Sequence, residues 1–145
     1  MKTVREILQE KGFVIEMIDE NRTVQEALQR LAQANIGALV VTDAQGAMLG
    51  MISERDYVRK VIVKGEPSLN KQVKEFMSDQ IYSVHPDQSV DECMALVTEK
   101  RCRHLPVLDD GKLVGIVSIG DLVKASIAEK EFLINQLTRY IQSYR

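Results

Sequence analysis

The chain has 145 residues, 45% of them hydrophobic, and a formal net charge of −2. That length suits one compact domain or two small halves sharing a core. Acids and bases are interspersed, which argues against nucleic acid as the main target, although a local basic pocket remains compatible, and no apolar run reaches the roughly 18 residues of a membrane span.

In chain order, MKTVREILQEKG has no apolar centre of signal-peptide type and reads as an N-terminal helix carrying Val4, Ile7 and Leu8. A short apolar run, Phe13–Ile18, predicts a strand. Thr23 followed three residues later by Glu26 fits a capping box, and Val24, Ala27, Leu28 and Leu31 continue at helical spacing. A buried strand is expected over Ala38–Val41, then a turn with Asp43 and Gly46, a strand over Met48–Ile52 and a second helix. Gly65–Asn70, with Pro67, is the best linker. Beyond it the order recurs: a strand at Ile81–Val84, a capping box at Ser89 and Glu92, and helical apolar positions at Val90, Cys93, Met94 and Val97. A strand over Leu105–Leu108, a turn at Asp109, Asp110 and Gly111, and a strand over Leu113–Val117 follow. Asp121–Tyr144 is long and amphipathic, with Val123, Ile127, Leu133, Leu137 and Ile141 on its apolar side.

The two runs are copies of one unit. Aligning Thr23–Asp43 with Ser89–Asp109 matches Val24 with Val90, Glu26 with Glu92, Leu39 with Leu105, Val41 with Val107 and Asp43 with Asp109. One residue of slack in the turn then matches Gly46 with Gly111, Gly50 with Gly115, Ser53 with Ser118, Asp56 with Asp121 and Val58 with Val123. The lead-ins correspond too, Val4-Arg5-Glu6-Ile7-Leu8 with Val73-Lys74-Glu75-Phe76-Met77. The boundaries read from this repeat are 1–64 for the first unit with its N-terminal helix, 71–126 for the second, and 127–145 for a helical extension.

Gly50-Met51-Ile52-Ser53-Glu54-Arg55-Asp56 and Gly115-Ile116-Val117-Ser118-Ile119-Gly120-Asp121 share one pattern, and Arg103-His104-Leu105-Pro106-Val107 precedes the second copy. On these motifs the chain resembles the cystathionine-β-synthase (CBS) domain family, specifically its stand-alone tandem pairs. The resemblance implies an α/β (α+β) fold of two pseudo-symmetric β-α-β-β-α units packed through their sheets, with two clefts between them. It also implies an adenosine ligand, such as AMP, ADP, ATP or NAD(H), and a homodimer formed through helices. Ligand contacts carried over from the family fall on Ile15, Gly37, Ala38, Ser53, Arg55 and Asp56, and on Ile81, Arg103, His104, Pro106, Ser118 and Asp121. The first unit departs from the pattern, having Gly37-Ala38 in place of Arg-His.

The chemistry of these residue types suits such a ligand. A helix N-terminus presents unsatisfied N–H groups and partial positive charge, and a serine there can hold a phosphate or ribose oxygen. An aspartate one turn on only accepts, which suits the two hydroxyls of a ribose. Arg103, with its planar fork of donors, suits phosphate. The bland readings stand beside these: Ser-x-x-Asp also starts a helix as a capping box, and Arg103, His104 and Arg55 also fit a solvated surface.

No catalytic constellation is recognisable with only two histidines, His85 and His104. Cys102-Arg103-His104 supplies too few ligands for a metal, and Cys93 reads as core. Cys93 and Cys102 make no disulfide framework, so a soluble, cytoplasmic protein is expected. The expected function is regulatory: a sensor whose bound nucleotide changes an unidentified partner protein or its own assembly. The alternatives are an interaction module with empty or degenerate sites and, more remotely, a small metal-dependent hydrolase.

Overall fold

The computed structural model describes residues 1–65 and 68–143; Pro67, named with the linker, lies outside them. In chain order the elements are α1 (Val4–Lys11), β1 (Met17–Asp19), α2 (Val24–Ala34), β2 (Ala38–Thr42), β3 (Met48–Ser53) and α3 (Glu54–Lys64). A 3-10 turn (Val73–Glu75), α4 (Val90–Lys100), β4 (His104–Asp109), β5 (Lys112–Ser118) and α5 (Ile119–Ser143) complete the fold. The predicted N-caps start the first helix of each repeat: Thr23 Oγ1 accepts the Glu26 N–H at 3.2 Å and Ser89 Oγ that of Glu92 at 3.1 Å, while the two glutamates accept the capping hydroxyls and not the backbone N–H groups of a full capping box. The α/β class is as read from the sequence, and so is the duplicated order of elements except for the first strand of the second repeat.

The compact units do not follow the boundaries of the repeat. The first unit is Val14–Ile81; the second joins Met1–Phe13 to the chain from Tyr82 onward. Each lead-in therefore packs with the other repeat, through equivalent backbone bonds. In the second unit Val4 and Arg5 donate to the carbonyls of Gln88 and Pro86 at 3.0 and 2.8 Å, and Val90 donates to Lys2 at 2.9 Å. In the first unit Val73 and Lys74 donate to Arg22 and Glu20 at 2.8 and 3.1 Å, and Val24 donates to Lys71 at 2.8 Å. Apolar burial follows the same exchange. Val73 and Phe76 join Ile18, Leu31, Leu39 and Ile52 in one core, while Val4, Ile7 and Leu8 join Val90, Leu105, Val117 and Leu122 in the other.

In the first unit β2 is central, parallel to β1 and antiparallel to β3. The strand expected over Phe13–Ile18 starts later, at Met17. The second unit has a two-stranded sheet, β4 with β5, and the strand expected over Ile81–Val84 shrinks to one bridge between Val84 and Val107. Proline explains the difference. Val40 donates its N–H to Glu16 at 3.1 Å, but Pro106, its counterpart in the repeat, has no N–H to offer. The residue of slack in the turn is also visible: β4 and β5 are joined by Asp110 and Gly111, both with positive φ (50° and 77°), as in a tight hairpin. The first hairpin is one residue longer, and Asp43 Oδ1 accepts the N–H groups of both Gln45 and Ala47 at 2.9 Å.

The two glycines of the shared pattern are packing glycines. A Cβ on Gly115 would lie 2.6 Å from Leu8 Cδ2, and one on Gly50 would strike the Ser78 carbonyl. Each faces the lead-in of the other repeat. Finally, α5 is one continuous helix. It buries Leu122 and Ala125 near its start, whereas Leu133, Ile134, Leu137, Tyr140 and Ile141 are exposed.

Candidate functional site

The hairpin register builds the same corner in both units. Ala38 pairs with Ser53 and His104 with Ser118, so the beginning of the middle strand lies beside the N-terminus of the following helix. Gly37 and Arg103 stand one residue before these pairs. Arg103 contributes its carbonyl, which accepts the Ile119 N–H at 2.8 Å and ties the start of β4 to the first turn of α5. Its side chain is exposed and makes no ion pair among the described residues. His104 is half-buried, Pro106 is buried opposite Ile116, and Arg55 is exposed in the first turn of α3. Ile15 and Ile81, both half-buried, belong to the first unit but lie outside this strand–helix corner.

Both Ser-x-x-Asp segments cap their helices, with different second bonds. Ser53 Oγ accepts the Asp56 N–H at 3.1 Å and donates its hydroxyl to Asp56 Oδ2 at 2.9 Å. Ser118 Oγ accepts the Asp121 N–H at 3.1 Å, and the Ser118 N–H donates to Asp121 Oδ2 at 2.8 Å, a fully reciprocal box. The capping reading is thus realised in both units. It fixes each carboxylate at the positive end of a helix, whose N-terminal serine pairs with the first residue of the middle strand.

Sequence reasoning missed a residue at the second corner. Lys11, the last residue of α1, places its ammonium 2.7 Å from Asp121 Oδ2 and 3.0 Å from the Ile116 carbonyl. Burial alone would raise the Asp121 pKa. The Lys11 hydrogen bond, the Ser118 N–H and the Lys11 charge outweigh it and hold the carboxyl below its ordinary value. Only the tertiary fold reveals this contact, because it depends on α1 packing with the other repeat. No ion pair to Asp56 exists among the described residues. Counting on from the repeated lead-in, the uncharged Gln80 stands where Lys11 does.

The remaining candidates for chemistry are placed plainly. Burial, assisted by the Glu92 charge, pushes the Cys93 thiol up to about 11, and Cys102 is also raised, first by burial. Both therefore stay protonated at neutral pH. Among the described residues no three His, Cys, Asp or Glu side chains converge on a metal position, and no helix is long and apolar enough to cross a membrane.

The duplicated corner agrees with comparison to known families: the CBS domain model matches twice, over residues 4–63 and 73–128. The chain belongs to the CBS domain family. Among curated CBS relatives, a mitochondrial CBS domain-containing protein of Arabidopsis thaliana is 41% identical over 124 residues, covering 83% of this chain and 60% of that one. This chain therefore spans less than two thirds of the plant protein's length. A solved CBS-domain-containing protein from Agrobacterium tumefaciens superposes with a TM-score of 0.82 at 38% identity, over 86% of this chain and 92% of that one. Another CBS pair, 25% identical with a TM-score of 0.76 over 89% of this chain and 98% of its own, was crystallised with 5′-methylthioadenosine and S-adenosyl-L-methionine. The CBS matches follow the repeat along the chain, whereas the compact units exchange lead-ins.

Proposed function

We propose that this CBS pair is a non-enzymatic sensor of an adenosine ligand (AMP, ADP, ATP or NAD(H)) that acts on a partner protein or on its own assembly. The observation that carries the reading is the duplicated corner, a capped helix N-terminus with an aspartate one turn in, beside the start of the middle strand. The ligands of the crystallised relative share a ribose and an adenine, which favours the adenosine part as the recognised feature. In this reading Asp56 and Asp121 accept ribose hydroxyls, Ser53 and Ser118 stand beside them, and Arg103 faces phosphate. Ile15, Ile81 and Pro106 are further candidate contacts, while Gly37 and Ala38 leave the first unit the less polar of the two.

Calorimetric titration with AMP, ATP and NAD tests it. Asp121→Ala is expected to weaken binding at the second unit by about 1.5–3 kcal/mol, the range for hydrogen bonds to a charged group. Asp56→Ala should act likewise on the first. Wild-type affinity in both variants would remove the ribose assignment, and no binding of any adenosine compound to the native protein would favour the interaction-module reading.

Assembly is the second part of the proposal. Leu133, Ile134, Leu137, Tyr140 and Ile141 recur at helical spacing along the distal half of α5, each more than half exposed in the single chain. An amphipathic helix buries such a stripe against something, and we infer a second copy of this chain. Truncation after Ile127 should convert a dimer to a monomer in light scattering while leaving nucleotide affinity largely intact. A dimer that survives truncation would exclude this helix as its seam.

A further inference from the structure

We propose that Lys11 is a displaceable latch on the second ligand site: it occupies Asp121 in the free protein and is released when a ribose engages that carboxylate. The inference rests on the ribose role just proposed for Asp121, and it adds how binding is transmitted to the rest of the molecule.

The geometry creates a competition for oxygen atoms. Asp121 Oδ2 already accepts two donors, the Lys11 ammonium at 2.7 Å and the Ser118 N–H at 2.8 Å, while Oδ1 accepts none among the described residues. A carboxylate oxygen has two lone pairs, and a vicinal diol presents two donors that fit best across both oxygens. A diol that spans both oxygens therefore competes with a donor already on Oδ2. The Ser118 N–H is fixed by the capping box, within the backbone of the strand-to-helix turn. Lys11 is held only by a flexible side chain, and the pair is partly solvated, with side-chain exposures of 39% for Lys11 and 25% for Asp121, so breaking it is cheap.

Released, the ammonium has a destination. A cavity of about 120 Å³ lies beside it, lined in part by Lys2, Ile7, Glu10 and Ala128, and the Glu10 carboxylate there, which accepts Lys2 Nζ at 2.9 Å through Oε1, can share a second ammonium. The consequence falls on α1. Lys11 is its last residue, and Gly12, with φ of 100°, turns the chain immediately afterwards. Loss of the bonds to Asp121 and to the Ile116 carbonyl removes both side-chain ties of Lys11, while Val4, Ile7 and Leu8 keep the other turns of the helix in the core. Ligand occupancy thus becomes loosening of the α1 C-terminus. The first unit provides the contrast: Asp56 Oδ2 accepts a rotatable hydroxyl, with Gln80 at the position corresponding to Lys11.

The test uses 5′-methylthioadenosine, which has the ribose but no phosphate, in an Asp56→Ala background that isolates the second site. Lys11→Met should bind about twofold to fivefold more tightly than the parent, the worth of a partly exposed charged pair. Added salt should strengthen binding to the parent, by screening the pair, and leave Lys11→Met unchanged. Ligand should speed amide exchange at the end of α1 in the parent only. Because the salt response is read in the parent, which keeps Lys11, it decides the matter even where Lys11→Met folds poorly. Equal or weaker binding by Lys11→Met, or a parent indifferent to salt, overturns the latch while leaving the ribose reading in place. Absence of binding by parent and variant alike overturns both.

Discussion

Replacing Leu8 by alanine is expected to destabilise the second unit by about 2–5 kcal/mol, and to leave the sheet of the first repeat protected. Leu8 is only 1% exposed, in a core with Leu105, Val117 and Leu122, although it belongs by sequence to the lead-in of the first repeat. It also fills the space that Gly115 leaves open, since its Cδ2 lies 2.6 Å from where a Cβ on that residue would sit. Truncation removes transfer free energy and leaves a cavity that a close-packed core refills poorly. Such a cost is a large part of the stability of a domain this size. Gly115→Ala alone should be mildly destabilising, because its methyl displaces the end of a flexible leucine. In the Leu8→Ala background it should recover part of the loss, a coupling that urea melts of the double-mutant cycle would detect. Amide exchange locates the damage: protection should fall in β4 and β5 while β2 and β3 keep theirs. The reverse pattern would mean that α1 belongs to the repeat that follows it in sequence.

This division between chain order and packing marks what the sequence made legible. The order of elements was readable because each helix start carries a chemical signal. Thr23 and Ser89 form the N-cap bonds that their spacing to Glu26 and Glu92 implies, and Ser53 and Ser118 do so with Asp56 and Asp121 at the candidate site. The Asp110-Gly111 turn was readable for a similar local reason, because a tight hairpin needs positive φ. Exchange of the lead-ins was not, since Val4–Leu8 and Val73–Met77 have the same apolar pattern whichever core receives them. Nor was their different local form. α1 runs to Lys11, but its counterpart stops after one 3-10 turn, because Ser78 exchanges two backbone bonds with Met51, at 2.8 and 3.0 Å, and joins the edge of β3. Gly50 permits that approach. In the sequence this glycine reads only as the first residue of the repeated pattern, and its immediate physical role is to admit a neighbouring backbone. Lys11 was illegible for the same reason as the exchange itself: its partner is set by tertiary packing.

Phe76→Ala should cost about 3–5 kcal/mol and strike the first unit, the mirror image of the effect at Leu8. Phe76 belongs by sequence to the lead-in of the second repeat, yet it is fully buried in the core of the first, beside Val24, Leu31 and Ile52. It also holds α3, which buries none of its own residues completely. The Tyr57 ring lies 5.7 Å from that of Phe76, the Lys64 ammonium is 4.5 Å above the Phe76 ring, and Lys60 donates to the adjacent Met77 carbonyl at 2.9 Å. These contacts fix the helix whose first turn carries Ser53 and Asp56. Loss of the ring should therefore loosen α3 before the sheet opens, so nucleotide binding that depends on Asp56 weakens even under conditions where the variant remains folded. Phe76→Leu, which keeps most of the volume, should restore most of the stability but little of the contact with Tyr57 and Lys64. Amide exchange should report lost protection in α3, β2 and β3 of Phe76→Ala, with α4 and β4 unchanged. Loss confined to α4 and β4 would assign Phe76 to the second unit and undo the exchange of lead-ins.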